Sequence, residues 1–362
     1  TGSRGQYVTG QFVKTNRVRV TALCDVYAGR LDEAQSKLPA GARGFSDHRK
    51  LLESGETDAV LIATPDHWHA VHAIDAMNAG KDIHCEKPLT LRIEEGPEIV
   101  KAARVNNRIC QVGTQRRSDV NYIRAKQEFF DSGKLGALTM GRTWWPGNTA
   151  HLRAAPAALH QQPSNLDWAR FLGPLKWRDW DPQQYANWRA YLDFGGGQVT
   201  DLFTHLIDMV QYFTGLDIPT SAVAAGGVYH YKDGRTAPDT VNVLLEYGDK
   251  LNATFDATLA PGMRGVGIEI GGTHGRLLIE GGKFLFQGPE RDSPVEPMPT
   301  ENRDSVRDHV ANFLDCVQSR KLPNADVLIG HRSAQASHLG NIAYLQKRRL
   351  KFDPVREEIL PL

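Results

Sequence analysis

Between residues 6 and 135, short apolar runs alternate with helical patterns, and each apolar run stops where polar residues begin. The strand-like runs are 17–24, 59–63, 82–85 and 109–113, with helical patterns such as 68–79 and 93–105 between them. Runs that are apolar throughout suit strands covered on both faces, and their alternation with helices predicts βαβ units around a mostly parallel sheet. Open sheets of this kind bind ligands beyond the carboxyl ends of their strands. Asp25, Thr64-Pro65-Asp66, Glu86-Lys87-Pro88 and Thr114-Gln115 all follow strand ends, so the pattern predicts that they line one crevice.

At 362 residues the chain is long for a single core, and two domains are expected. Its texture changes after residue 136. Residues 145–190 are rich in Pro, Trp, Asn and Gln and read as a long irregular excursion of the kind that carries function. A helix is expected over 200–213. Residues 221–286 alternate in period two between Gly-rich turns, which predicts an antiparallel sheet with one solvated or ligand-facing side. Helical patterns at 306–318 and 331–346 close the chain and are expected to pack back on one of the two domains. With 43 Lys plus Arg against 42 Asp plus Glu, nothing in the net charge draws the chain to nucleic acid or a membrane, and a small-molecule partner is expected. No run approaches the roughly 18 apolar residues of a membrane span. The four cysteines are widely spaced, which indicates neither a zinc site nor a disulfide framework.

Thr1-Gly2-Ser3-Arg4-Gly5 matches the tail of a G-x-G-x-x-G turn, whose first glycine and preceding strand would lie upstream. We therefore expect the natural protein to extend further upstream. Gly2 and Gly5 let the backbone approach a pyrophosphate, with the amides that follow, those of Ser3 and Arg4 among them, facing the phosphates. Asp25, twenty residues after Gly5, is placed to accept hydrogen bonds from a ribose diol and to repel a 2′-phosphate, so NAD is expected over NADP; Arg30 softens that discrimination. Thr64, Pro65, His67 and His69, with Glu86, Lys87 and Gln115, are expected to border the same cofactor.

Lys87 at a strand end can donate to a substrate hydroxyl and stabilise developing alkoxide charge, and Pro88 is a candidate for a cis peptide. Asp201 and His205, four residues apart, fall on one face of the expected helix with Asp208 close by. Neutral His205 can take a hydroxyl proton while Asp201 orients it. A surface ion pair and a metal site from Asp201, His205 and Asp208 are the alternatives, the latter opposed by a lysine in the same pocket. Gly195-Gly196-Gly197 would let this helix start against a ligand. Tyr185, Trp188 and Arg189, just upstream, are expected to reach the site, Tyr185 on the substrate side and the other two beside the cofactor. Of the tryptophans at 144, 145, 168, 177, 180 and 188, one or two are candidates for stacking on a sugar ring.

Taken together, these residues resemble the Gfo/Idh/MocA family of NAD(P)-dependent oxidoreductases over nearly the whole chain. The resemblance rests on Gly2 and Gly5, Ala63-Thr64-Pro65 with His69, Glu86-Lys87-Pro88, and Gly195-Gly196-Gly197 through Asp201, His205 and Asp208. It implies a Rossmann domain over 1–120 and an α+β domain over 121–362, whose large, mostly antiparallel sheet serves substrate binding and assembly into a homodimer or homotetramer. It also implies that Lys87, Asp201 and His205 form the catalytic set, with His205 as acid/base, and that substrates are pyranoses, glycosides or cyclic polyols. Residues 168–174, Trp188-Arg189 and 312–316 look like a subgroup often exported by a twin-arginine signal, which leaves cytoplasm and periplasm both open. The expectation is NAD-dependent oxidation of a ring hydroxyl. The alternative is a glycosidase that oxidises its substrate transiently and recycles NAD; family members of that kind carry a Tyr-Pro-Thr-His-Gly type motif, where this chain has Phe203-Thr204-His205-Leu206. A third possibility is a sugar-responsive protein that kept the fold and lost turnover.

Overall fold

In this computed structural model residues 1–38, 41–147 and 154–361 are described, so that 148–153 of the expected irregular excursion lie outside the described residues. The N-terminal alternation is realised as α1 (Ser3–Val13), β1 (Ala22–Cys24), α2 (Ala28–Ser36), β2 (Arg43–Phe45), α3 (His48–Glu53), β3 (Ala59–Ile62), α4 (His69–Asn78), β4 (Asp82–Cys85), α5 (Glu95–Val105) and β5 (Cys110–Val112). Every strand pairing in this part is parallel, as expected, but the sheet is in two pieces: β1 pairs with β2, and β3-β4-β5 form a separate ladder. β4 is paired on both sides and buried along its length, whereas β1 and most of β3 are half-buried. Among the described residues, one edge of β1 and one of β3 are unpaired, and residues 18–24 and 59–63 both line the large central cavity. This is why only three residues of the expected 17–24 strand form one. The segment bonds to β2 only from Thr21, whose carbonyl accepts from the Arg43 N–H, to Asp25, whose N–H donates to the Phe45 carbonyl; residues 17–20 have no strand beside them among the described residues.

The second part runs through α6 (Val120–Ala125), β6 (Leu138–Trp144), α7 (Trp168–Leu172), α8 (Pro182–Ala186), α9 (Thr204–Thr214), β7 (Ser221–Gly227), β8 (Thr240–Tyr247), β9 (Leu251–Thr258), β10 (Gly267–Gly272), β11 (Gly275–Glu280), β12 (Lys283–Gln287), β13 (Val295–Met298), α10 (Ser305–Ser319), α11 (Val327–Gln346), β14 (Leu350–Asp353) and β15 (Glu358–Ile359). Ten of these strands form one sheet in the order β13-β12-β11-β10-β6-β9-β8-β7-β14-β15. It is antiparallel except at β6 and β9, which run parallel. Helix α9 and the inward side chains of the sheet, among them Leu206, Ile207, Val210, Val243, Phe255 and Ile270, make the larger core. The side chains of Asp47, Asp119, Asp167, Asp181, Asp304 and Asp326 cap α3, α6, α7, α8, α10 and α11, each accepting a backbone N–H of the first turn.

The last two helices return to the first part. Val306, Val310 and Phe313 of α10 pack with Val8 and Phe12 of α1. Helix α11 lies between the small parallel ladder and the large sheet. Gly330 permits this, since a methyl there would overlap the Val112 side chain. At its other end Asn341 donates to the Gly196 carbonyl at 2.8 Å, tying α11 to the glycine turn before α9.

Candidate active site

The strand ends converge as the alternation predicts. A cavity of about 1160 Å³ is bordered by Gly2, Ser3, Arg4, Gly5, Asp25, Thr64, Pro65, Asp66, His69, Glu86, Lys87 and Gln115 from the first part, and by Trp145, Tyr185, Trp188, Arg189, Asp201 and His205 from the second. Part of that volume is the gap between β1 and β3, which Val18, Val20, Val60 and Leu61 also line.

At one end is the opening turn of α1. Gly2 offers no side-chain cap and the first turn holds no acidic residue, so the N-terminal amides are free to meet an anion. Gly5 brings the helix close to the strand end: a methyl there would touch the Ala63 side chain at 3.4 Å. Asp25 accepts from the Tyr27 N–H at 3.0 Å and from the Thr1 hydroxyl at 2.6 Å. Arg30 stacks 5.0 Å over the Tyr185 ring at this same end. Tyr185, expected on the substrate side, is instead packed among Tyr27, Phe171 and Trp180 and is 2% exposed, because its ring completes an aromatic cluster beside the Asp25 loop.

The loop after β3 contributes less directly than the sequence implied. His67 turns from the cavity: its Nε2 lies 2.8 Å from the Phe171 carbonyl and its ring packs on Phe171 and Phe194, burial lowering its pKa to about 4. His69 lines the cavity but is held between two carbonyls, Pro88 at 2.7 Å from Nδ1 and Thr64 at 2.9 Å from Nε2, and its pKa too is lowered to about 4 by burial. It clamps the loop after β3 to the one after β4. Arg4 donates to Glu86 at 2.8 Å across the crevice.

Lys87, with a cis peptide to Pro88, donates from Nζ to Asp201 Oδ1 at 2.6 Å and to the Asp201 carbonyl at 2.7 Å. Arg189 reaches the same Oδ1 from 3.3 Å while stacking 4.1 Å over Trp188. Asp201 does not lie on a regular α-helix. Residues Val199–Phe203 form a π-helical turn running into α9, the wider turn being a feature that recurs at functional sites. His205 opens α9 half-buried at the cavity wall, its ring 6.2 Å from that of Trp145. Burial first, then the charges of Lys87 and Arg116, drive its pKa well below 6.5, Asp201 opposing them. The imidazole is therefore neutral near pH 7 and able to accept a proton.

Two residues to which the sequence assigned no role stand beside this group. Asp66 is 3% exposed and accepts from the Gly196 N–H; burial pushes its carboxyl well above the ordinary range, with Arg189 opposing and Asp201 adding to the rise. Arg116 follows the crevice residue Gln115 and lies over Trp145. Asp66 lies in a segment already expected in the crevice, and Arg116 follows one, in the short helical turn Gln115–Ser118; that was the available signal. Asp208 takes no part: it is fully buried, pairs with Arg117 at 2.8 Å and accepts from Ser333 at 2.7 Å, so it does not join Asp201 and His205 around a metal. The glycines before α9 make room for protein rather than ligand. A methyl at Gly195 would meet the Trp188 ring at 2.9 Å and Asp66 at 3.2 Å, and Gly197, at φ +61°, abuts Ala237.

The residues present fit a dinucleotide. Uncapped α1 amides stand at one end, Asp25 near them, and at the other Gln115 lines the cavity with its Oε1 buried and unpartnered among the described residues, an acceptor suited to a ligand N–H.

Comparison with known proteins agrees with this geometry. Residues 1–114 match the model of an oxidoreductase family with an NAD-binding Rossmann fold, and residues 175–278 match the model of the GFO/IDH/MocA C-terminal domain. An inositol 2-dehydrogenase of Salmonella paratyphi B is 34% identical over 124 residues, which span 34% of this chain and 37% of that relative's length. A scyllo-inositol 2-dehydrogenase (NAD(+)) of Bacillus subtilis is 25% identical over 84% of this chain and 80% of its own. Among solved structures, levoglucosan dehydrogenase in complex with NADH and levoglucosan superposes with a TM-score of 0.75 at 18% identity over 97% of this chain and 96% of its own. The WlbA dehydrogenase of Bordetella pertussis, in complex with NADH and UDP-GlcNAcA, does so with 0.74 at 20% over 100% and 97%. At those identities the likeness is one of fold.

Proposed function

Because the chain belongs to the Gfo/Idh/MocA family of oxidoreductases, we propose that it oxidises a ring hydroxyl of a sugar, glycoside or cyclic polyol with NAD, His205 receiving the hydroxyl proton. The observation that carries this is the Lys87-Asp201 ion pair at 2.6 Å, set in the cavity that also holds neutral His205 and the α1 N-terminus. When bound, NAD supplies the hydride acceptor. Residues 2–5 and Asp25 hold its phosphates and ribose, and Gln115 meets its nicotinamide end. Lys87 Nζ, fixed by Asp201, donates to the substrate oxygen and stabilises the negative charge that grows there as the proton leaves for a ring nitrogen of His205. Asp201 acts twice, as the counter-ion that orients Lys87 and as the charge that favours the protonated imidazole once formed. Trp145 and Trp188 wall this end of the cavity and limit water beside the reacting carbon.

The test is NADH formation with a panel of inositols, aldoses and glycosides. Growth of the 340 nm absorbance with at least one of them is expected. Release of aglycone from a chromogenic glycoside with catalytic NAD and no net NADH would shift the reading to oxidation-assisted glycoside cleavage, and failure to bind NAD at all would end both.

A further inference from the structure

Among the described residues the charges around His205 do not balance. Arg4 is neutralised by Glu86 and Arg117 by Asp208, while Lys87 and Arg189 both draw on the single Asp201 carboxylate. Burial raises the Asp66 carboxyl well above the ordinary range and so weakens it as a counter-charge. Arg116 goes further: it is half-buried, and among the described residues no carboxylate, carbonyl or hydroxyl accepts from its guanidinium. What fixes it is aromatic. The guanidinium lies 5.7 Å from the Tyr122 ring centroid and 5.8 Å from that of Trp145, the ring next to His205. Stacking of this kind holds the plane of an arginine while leaving its N–H edge free. A cation partly withdrawn from water without a partner is costly, and an arriving anion recovers that cost.

We propose that Arg116 receives a carboxylate carried by the substrate, so that the preferred substrates are sugar acids such as uronates or aldonates rather than neutral sugars. This rests on the dehydrogenase reading above and narrows it. One fixed guanidinium presents two parallel N–H donors to the two oxygens of a carboxylate, and its single charge matches that of the acid. A phosphate dianion shares the oxyanion chemistry but is ordinarily met by more donors. A bound carboxylate would also offset the positive charge acting on His205 and so favour the proton transfer that oxidation requires.

The experiment is calorimetric titration of the NADH-loaded protein with D-glucuronate, D-galacturonate and D-mannuronate, the matching neutral hexoses and hexose 6-phosphates. At least one uronate should bind more tightly than its hexose and its phosphate. Arg116→Gln should weaken that uronate by about 30-fold, the range of a charge-assisted pair, with NADH and hexose affinities changed less than about threefold, and Arg116→Lys should restore part of the loss. Should Arg116→Gln fail to fold, the order of affinities in the unaltered protein decides. Hexoses bound as tightly as uronates, phosphates bound more tightly than either, or an Arg116→Gln protein that keeps its uronate affinity would each overturn the carboxylate site. NADH bound with every uronate ignored overturns this site alone, whereas no NADH binding removes the dehydrogenase reading with it.

Discussion

At the scale of single residues, the proposed mechanism depends on protonation states. His205 is held well below its ordinary pKa by burial, Lys87 and Arg116, so its base form persists as pH falls through 6.5. The acidic limb of kcat/KM for oxidation should therefore have its midpoint below 6.5, and a pH-rate profile with the midpoint at or above that value would contradict the assignment. Tyr185 makes the opposite case. Its buried hydroxyl has no hydrogen-bond partner among the described residues and its ring belongs to an aromatic cluster. Tyr185→Phe should leave turnover within about twofold and the melting temperature unchanged or raised, because removing an unsatisfied buried hydroxyl costs nothing in hydrogen bonds. The residues proposed to carry proton chemistry were legible in the sequence because Lys87 ends a strand and Asp201 and His205 share a short spacing. The place of Tyr185 and the burial of His67 were not, since both depend on which aromatic rings from α7, α8 and the segment before α9 close over the crevice.

At the scale of elements, pairing explains what periodicity could and could not show. The βαβ alternation located helices α4 and α5 and the ends of β3, β4 and β5 to within a residue or two, because those strands are apolar and closed by polar turns. It does not by itself set which strands pair, and among the described residues β1 and β3 are not paired with each other. Strand β6 escaped for another reason. Its burial alternates poorly, and its parallel partner β9 lies more than a hundred residues on. The π turn at Val199–Phe203 was equally hidden, since the i, i+4 spacing of Asp201 and His205 reads as ordinary α-helix. In a protein made of residues 1–362, amides of β1 and β3, each paired on one side, should exchange with solvent faster than those of β4, paired on both, in hydrogen-exchange mass spectrometry. Equal protection across the three strands would contradict the described pairing.

At the scale of the whole molecule, the two parts are joined by buried polar contacts as well as by apolar packing. Thr90 and His338 link the loop after β4 to α11 at 2.9 Å, and His309 of α10 lies 2.9 Å from the Val112 carbonyl. Burial lowers the pKa values of His67, His69, His309 and His338 to about 4. Each takes up a proton more readily unfolded than folded, so the stability due to their neutral forms is complete above pH 6.5 and is lost as pH falls toward 4. The melting temperature should drop steeply across that window, and a flat profile there would show these imidazoles to be solvated. The central claim is that Lys87, Asp201 and His205 form one proton-handling group beside an NAD crevice. It is tested most directly by measuring NAD affinity and the rate of substrate oxidation side by side for Lys87→Met. The account predicts a rate lower by about a thousandfold, with the NAD dissociation constant within about threefold of the unaltered protein. An unchanged rate, or a loss traced wholly to weaker NAD binding, would contradict it.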